Sequence, residues 1–93
     1  MAHIRMDPEA RRKLILDAAY KVAKRDGFRK ATRTAIAVEA GVTAGLVGVY
    51  FKGRDTLRGA IMKEAVDRAN KKLVKEGLEL QIQGVRIPKE LRA

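Results

Sequence analysis

Cysteine and tryptophan are absent from this chain. No disulfide, thiol nucleophile or thiolate metal site can therefore form. The one histidine, His3, stands near the start, which excludes a histidine metal cluster and a histidine-centred triad. There are only two prolines and four aromatic residues. No apolar run approaches the length that spans a bilayer. The first residues, Met1 to Arg5, lack the apolar core of a secretory signal, so the expected compartment is the cytoplasm. Paired acids with a neighbouring base are missing too, so an enzyme is not expected, nor a metal or other cofactor. Acid is scarce against base: 11 Asp+Glu face 21 Lys+Arg, a formal charge of +10 on 93 residues. That excess favours an anionic partner, nucleic acid or an acidic surface. A hydrophobic fraction of 46% argues against a wholly disordered basic tail.

The charge is unevenly spread. Residues 1–33 hold ten Lys/Arg and four acids, whereas 34–53 hold one of each, Glu39 and Lys52. Residues 54–93 hold ten bases and six acids. A near-neutral, glycine-containing middle lies between two basic flanks.

Periodicity and capping residues predict a mainly α-helical chain. Asp7, Pro8 and Glu9 open a first helix. Ile15, Ala19, Val22 and Ala23 give its buried face, and Gly27 stops it. Thr32 caps a second helix, about 33–40, with Ile36, Ala37 and Ala40 inward and Gly41 at its end. Thr43 caps a third, about 44–50, weakened by Gly45 and Gly48 at about 1 kcal/mol each relative to Ala. Gly53 separates a fourth, expected to be long, from Arg54 to Glu76 with Gly77 as its stop. It carries two stripes. Leu57 and Ile61 form one; Met62, Val66, Ala69 and Leu73 form another, expected as a dimer face. From Leu78 to Ile87 apolar and polar residues alternate, which reads as two short extended segments, with helix extension as the competing reading.

The informative stretch runs from Thr32 to Phe51. Two short helices joined by a tight turn at Gly41 match the helix-turn-helix pattern. The small Ala37 permits close approach, Val42 plugs the space between the helices, and Thr43 caps the second. In this motif the second helix enters the major groove of DNA. Thr43 is open to two roles, N-cap and phosphate contact. Tyr50 is open to a partly buried core ring or a phosphate contact, while Phe51 is expected in the core. Arg33 reaches a base edge if it points inward. Arg5 is a candidate minor-groove arm, with a disordered end as the competing reading.

The run Ile15-Leu16-Asp17-Ala18-Ala19, then Gly27-Phe28, Thr32, Ile36-Ala37, Ala40-Gly41-Val42-Thr43, Gly45, Tyr50-Phe51-Lys52 and Asp55-Thr56-Leu57, resembles the DNA-binding domain of tetracycline-repressor (TetR) family regulators. The likeness runs over roughly residues 10–65. It implies a homodimeric bacterial transcriptional regulator, usually a repressor, reading a palindromic operator in double-stranded DNA. It implies phosphate contacts at Thr32, Thr43, Tyr50 and Lys52. The groove-facing surface it implies includes Thr34, Ala44, Leu46 and Val49, beside Gly45. The chain departs from the family's pattern in three respects. The family's following helical ligand-binding domain is replaced by a tail of about 28 residues, so no small-molecule effector is expected. An aromatic residue is common at Gly48 and a large apolar one at Ala23. The groove-facing set is also poor in hydrogen-bonding side chains.

The expected division is a basic arm over 1–7, a helix-turn-helix domain with helix 4 over 8–76, and a tail over 77–93 that serves dimerisation. An alternative function is a protein-interaction module that docks another regulator and binds DNA weakly or not at all.

Overall fold

The computed structural model describes residues 7–92. Five α-helices and two single 3₁₀ turns account for its regular structure: α1 Pro8–Asp26, α2 Arg33–Ala40, α3 Ala44–Tyr50, α4 Arg54–Asp67 and α5 Lys71–Glu79. The 3₁₀ turns are Phe28–Lys30 and Lys89–Leu91. The mainly helical reading holds, and the capping residues act where expected. Asp7 Oδ1 accepts from the Ala10 N–H at 2.8 Å. Thr32 Oγ1 accepts from Ala35 N–H at 3.2 Å, and Thr43 Oγ1 from Leu46 N–H at 3.1 Å. Each satisfies one donor that the first helical turn leaves unpaired.

α1, α2 and α4 enclose the core. Ile15, Ala19, Val22 and Ala23 of α1 meet Ile36 and Ala37 of α2, Val47 of α3, and Leu57 and Ile61 of α4, all buried. Phe28 and Phe51, each 1% exposed, are its largest fully buried side chains. Burying such a side chain contributes about 1.5–3 kcal/mol. α3 contributes Val47 alone as a fully buried residue, so packing holds it by a narrow seam.

The long fourth helix expected over 54–76 is two helices. α4 ends at Asp67, and Ala69 turns the chain with a left-handed φ of 54°. The Asn70 N–H returns to Ala65 O at 2.9 Å and the Ala69 N–H to Val66 O at 3.0 Å, which satisfies the last carbonyls of α4. Asn70 then caps α5 through Oδ1 to Leu73 N–H at 3.1 Å, and its Nδ2 donates to the Tyr20 hydroxyl at 3.0 Å. The break lets α5 fold back onto the same core as α4.

This break also corrects the expected dimer face. Met62 is fully buried and Leu73 is 4% exposed, because α5 covers α4 within one chain. Val66 is half-buried and only Ala69 is exposed. The stripe is mainly intramolecular core. Gly77 is likewise no terminator: it is buried inside α5, against Met62 and Phe28. The extended tail is corrected as well. Leu78 and Glu79 belong to α5, and no strand occurs among the described residues. The tail instead lays Ile87 and Leu91 on the core.

Candidate nucleic-acid interface

α2 and α3 are set by the turn between them. Gly41 takes a left-handed φ of 72°. Its N–H returns to Val38 O at 3.4 Å, and the Val42 N–H to Ala37 O at 3.0 Å. Val42, half-buried, packs against the core beneath the turn. This is the helix-turn-helix geometry that the spacing of Ala37, Gly41 and Val42 calls for.

The residues singled out in the sequence fall into two groups. Thr32, Arg33, Thr34, Thr43, Gly45, Val49 and Lys52 are exposed. Ala44, Leu46 and Tyr50 are half-buried and lean on the core. On α3, Val49 is a large apolar side chain 64% exposed, opposite the fully buried Val47; on α2, Val38 is exposed further, at 79%. Thr32 and Thr43 cap their helices and remain exposed, so the two roles open for Thr43 are geometrically compatible. Phe51 lies in the core, with the Arg12 guanidinium stacked over its ring at 5.0 Å. Arg5 lies outside the described residues.

Sequence reasoning named Arg33 but missed the three arginines that cluster with it. Arg29, Arg33, Arg54 and Arg58 surround a cavity of about 280 Å³ whose floor is Phe28, Ala31 and Leu57, next to Thr32 and Gly53. The signal was present as two pairs of arginines spaced by four. Asp55 approaches Arg54 only at 3.8 Å, and its side chain is 97% exposed. The first turn of α4 has no side-chain cap, since Gly53 precedes it. Cations and free helix-end donors thus gather on one flank of the motif, as an anionic partner requires.

Asp17, Asp26, Glu39 and Glu64 are held in ion pairs away from this flank. Asp17 pairs with Arg68 at 2.8 Å and Lys21 at 3.3 Å, and Arg68 also holds Glu64 at 2.7 Å. The Arg68 hydrogen bond, then that of Lys21, holds the Asp17 carboxyl below its ordinary range against a partial desolvation penalty. Arg25 bridges α1 to Glu39 of α2 at 3.1 Å. No helix among the described residues is long and apolar enough to cross a membrane.

A helix-turn-helix with these caps and this cationic flank defines a DNA-binding transcription regulator. Residues 15–61, just over half of the chain, match the family model described as "Bacterial regulatory proteins, tetR family". The chain belongs to the TetR family. No curated protein and no solved structure gave a significant match.

Proposed function

We propose that this protein is a sequence-specific repressor that binds a palindromic operator as a homodimer, with α3 in the major groove of each half-site. The observation that carries this reading is the exposed face of α3. Val49 and Gly45 stand open on a seven-residue helix whose one fully buried residue is Val47, with the Thr43 cap hydroxyl at its start and Lys52 just past its end. An isolated exposed valine needs no explanation. One on the second helix of a helix-turn-helix is suited to a thymine methyl. Thr32, Thr43, Tyr50 and Lys52 would hold phosphates, with Arg29, Arg54 and Arg58 beside them. Thr34, Ala44, Gly45, Leu46 and Val49 would face the groove. Repression would follow from occupying a promoter.

The test is selection of bound duplexes from a random pool, followed by titration at several salt concentrations. A palindrome with half-sites about one helical turn apart, bound by two chains, is expected. Affinity should fall log-linearly with salt at a slope near 0.9 per phosphate held. Failure to bind duplex at low salt would favour the protein-docking alternative. One chain per palindromic duplex would overturn the dimer.

A further inference from the structure

The recognition helix carries no charged or amide side chain of its own. From Ala44 to Tyr50 it offers aliphatic groups, two glycines and one phenol. Aliphatic groups select thymine methyls but leave the hydrogen-bonding edge of guanine unread. A guanidinium nevertheless lies on this helix, and it comes from α2.

It belongs to Arg33, the first residue of α2. A Cβ built on Gly48 would stand 2.6 Å from Arg33 Nη1, 3.5 Å from its Cδ and 3.7 Å from its Cζ. The arm therefore runs across the backbone of α3 through the gap that the glycine leaves. Glycine is a poor choice inside so short a helix unless that space is used. Here a side chain from the neighbouring helix uses it. Arg33 is exposed, and among the described residues it forms no ion pair. No hydrogen bond or ion pair among the described residues uses its donors, and they sit at a helix whose own side chains offer a single donor, the Tyr50 hydroxyl.

We infer that Arg33, seated in the Gly48 gap, is the base-reading side chain of this protein, giving α3 a fork of donors that selects a G·C pair in each half-site. This rests on the reading that α3 enters the major groove. A guanidinium meets guanine O6 and N7 with two parallel hydrogen bonds from one rigid planar fork, a pairing that the single hydroxyl of a threonine cannot reproduce. Phosphate contact, the competing use of an exposed arginine, carries no sequence information.

The experiment measures affinity of wild type, Arg33→Ala and Gly48→Ala for the selected duplex and for every single base-pair change in one half-site. Wild type should prefer G·C at one position by roughly 5- to 150-fold. Arg33→Ala should lose that preference and keep the others, with its salt slope on random duplex unchanged. Gly48→Ala should relax the same position, because its Cβ displaces the guanidinium. The atom it meets is the far end of a flexible side chain, so its thermal midpoint should not fall. Equal weakening of Arg33→Ala on all duplexes, with a salt slope lower by about one, would assign Arg33 to a phosphate and overturn the inference. So would an unchanged preference in Gly48→Ala. If wild type binds no duplex, the DNA-binding reading falls and takes this one with it. If wild type selects a site that Arg33→Ala selects equally well, only this inference falls.

Discussion

The Glu76 carboxylate accepts a hydrogen bond from the backbone N–H of Phe28 at 2.8 Å, across 48 residues of sequence. It locks α5 to the turn that follows α1, where the Phe28 ring enters the core. Glu76→Ala would leave that part-buried donor without a partner, at about 1–3 kcal/mol. The midpoint of thermal unfolding should fall by about 4–8 °C for each kcal/mol in a domain of this size. Glu76→Gln, which keeps an acceptor, should lose less. Glu79→Ala, exposed on the same helix, should change stability by no more than about 0.5 kcal/mol. Equal midpoints for Glu76→Ala and Glu79→Ala would show that the long-range bond contributes nothing.

Two helical glycines should respond oppositely to alanine. A Cβ on Gly77 would overlap Met62 Sδ and stand 2.9 Å from Met62 Cε and 3.4 Å from Phe28. Overpacking of this kind costs about 1–3 kcal/mol, more than the gain of about 1 kcal/mol in helix propensity. Gly77→Ala should therefore destabilise, and the further cost of Met62→Ala should be smaller in that background than in wild type, where Met62 is fully buried. A Cβ on Gly59, inside α4, meets nothing within 4 Å. Gly59→Ala should stabilise by up to about 1 kcal/mol. Chemical denaturation of the two variants checks the sign, and a stable Gly77→Ala would refute the packing argument.

Three helices end in one way, and only one end was legible in the sequence. After α2, α4 and α5 the chain turns at Gly41, Ala69 and Gln81, each with positive φ. Each time the next residue's N–H returns to a carbonyl five residues back. Glycine marked the first. Ala69 and Gln81 gave no local signal, because tertiary packing holds them in a conformation that propensity disfavours. Hence one long helix was expected where there are two, and the glycine within α5 was read as its end. The stripe through Met62 and Leu73 was visible, but both halves face one core, so its continuity hid the break. The caps, Ala37, Gly41 and the core of α1 were legible because their causes are local. Arg33 on Gly48 was not, because it joins two helices. Ala69→Gly should relieve the left-handed strain and raise stability by about 0.5–1 kcal/mol. An unchanged or lower unfolding midpoint would mean that Ala69 is not strained.

Asp17 ties α1 to the end of α4 through Arg68, whose guanidinium also lies over the Tyr20 ring at 4.2 Å. The Arg68 bond leads in lowering the folded carboxyl below its ordinary value of 3.8. The linked stability is therefore present above the unfolded value and is lost as pH falls through the folded one. Asp17→Asn should be less stable than wild type at neutral pH, and the gap should close as pH falls below about 4. With the Asp17 side chain 41% exposed, the gap should stay near or below about 1 kcal/mol. Urea midpoints across pH 2–7 measure it. A gap that persists into acid would show that the bond, not the charge, carries the effect.

Lys52 and Tyr50 adjoin at the end of α3, one exposed and one half-buried, and they separate charge from geometry at the proposed backbone contact. Lys52 forms no ion pair among the described residues, so Lys52→Ala removes one free cation and should leave the unfolding midpoint unchanged. If it neutralises a phosphate, affinity should drop on every duplex, and the slope of log affinity against log salt should shrink by about one. Tyr50→Phe keeps the ring that leans on the core and removes only the hydroxyl. It should weaken all duplexes with little change in slope, since a phenol releases no counterion. Titrations at four salt concentrations distinguish the two. Unchanged affinity in both variants would remove the end of α3 from the DNA contact.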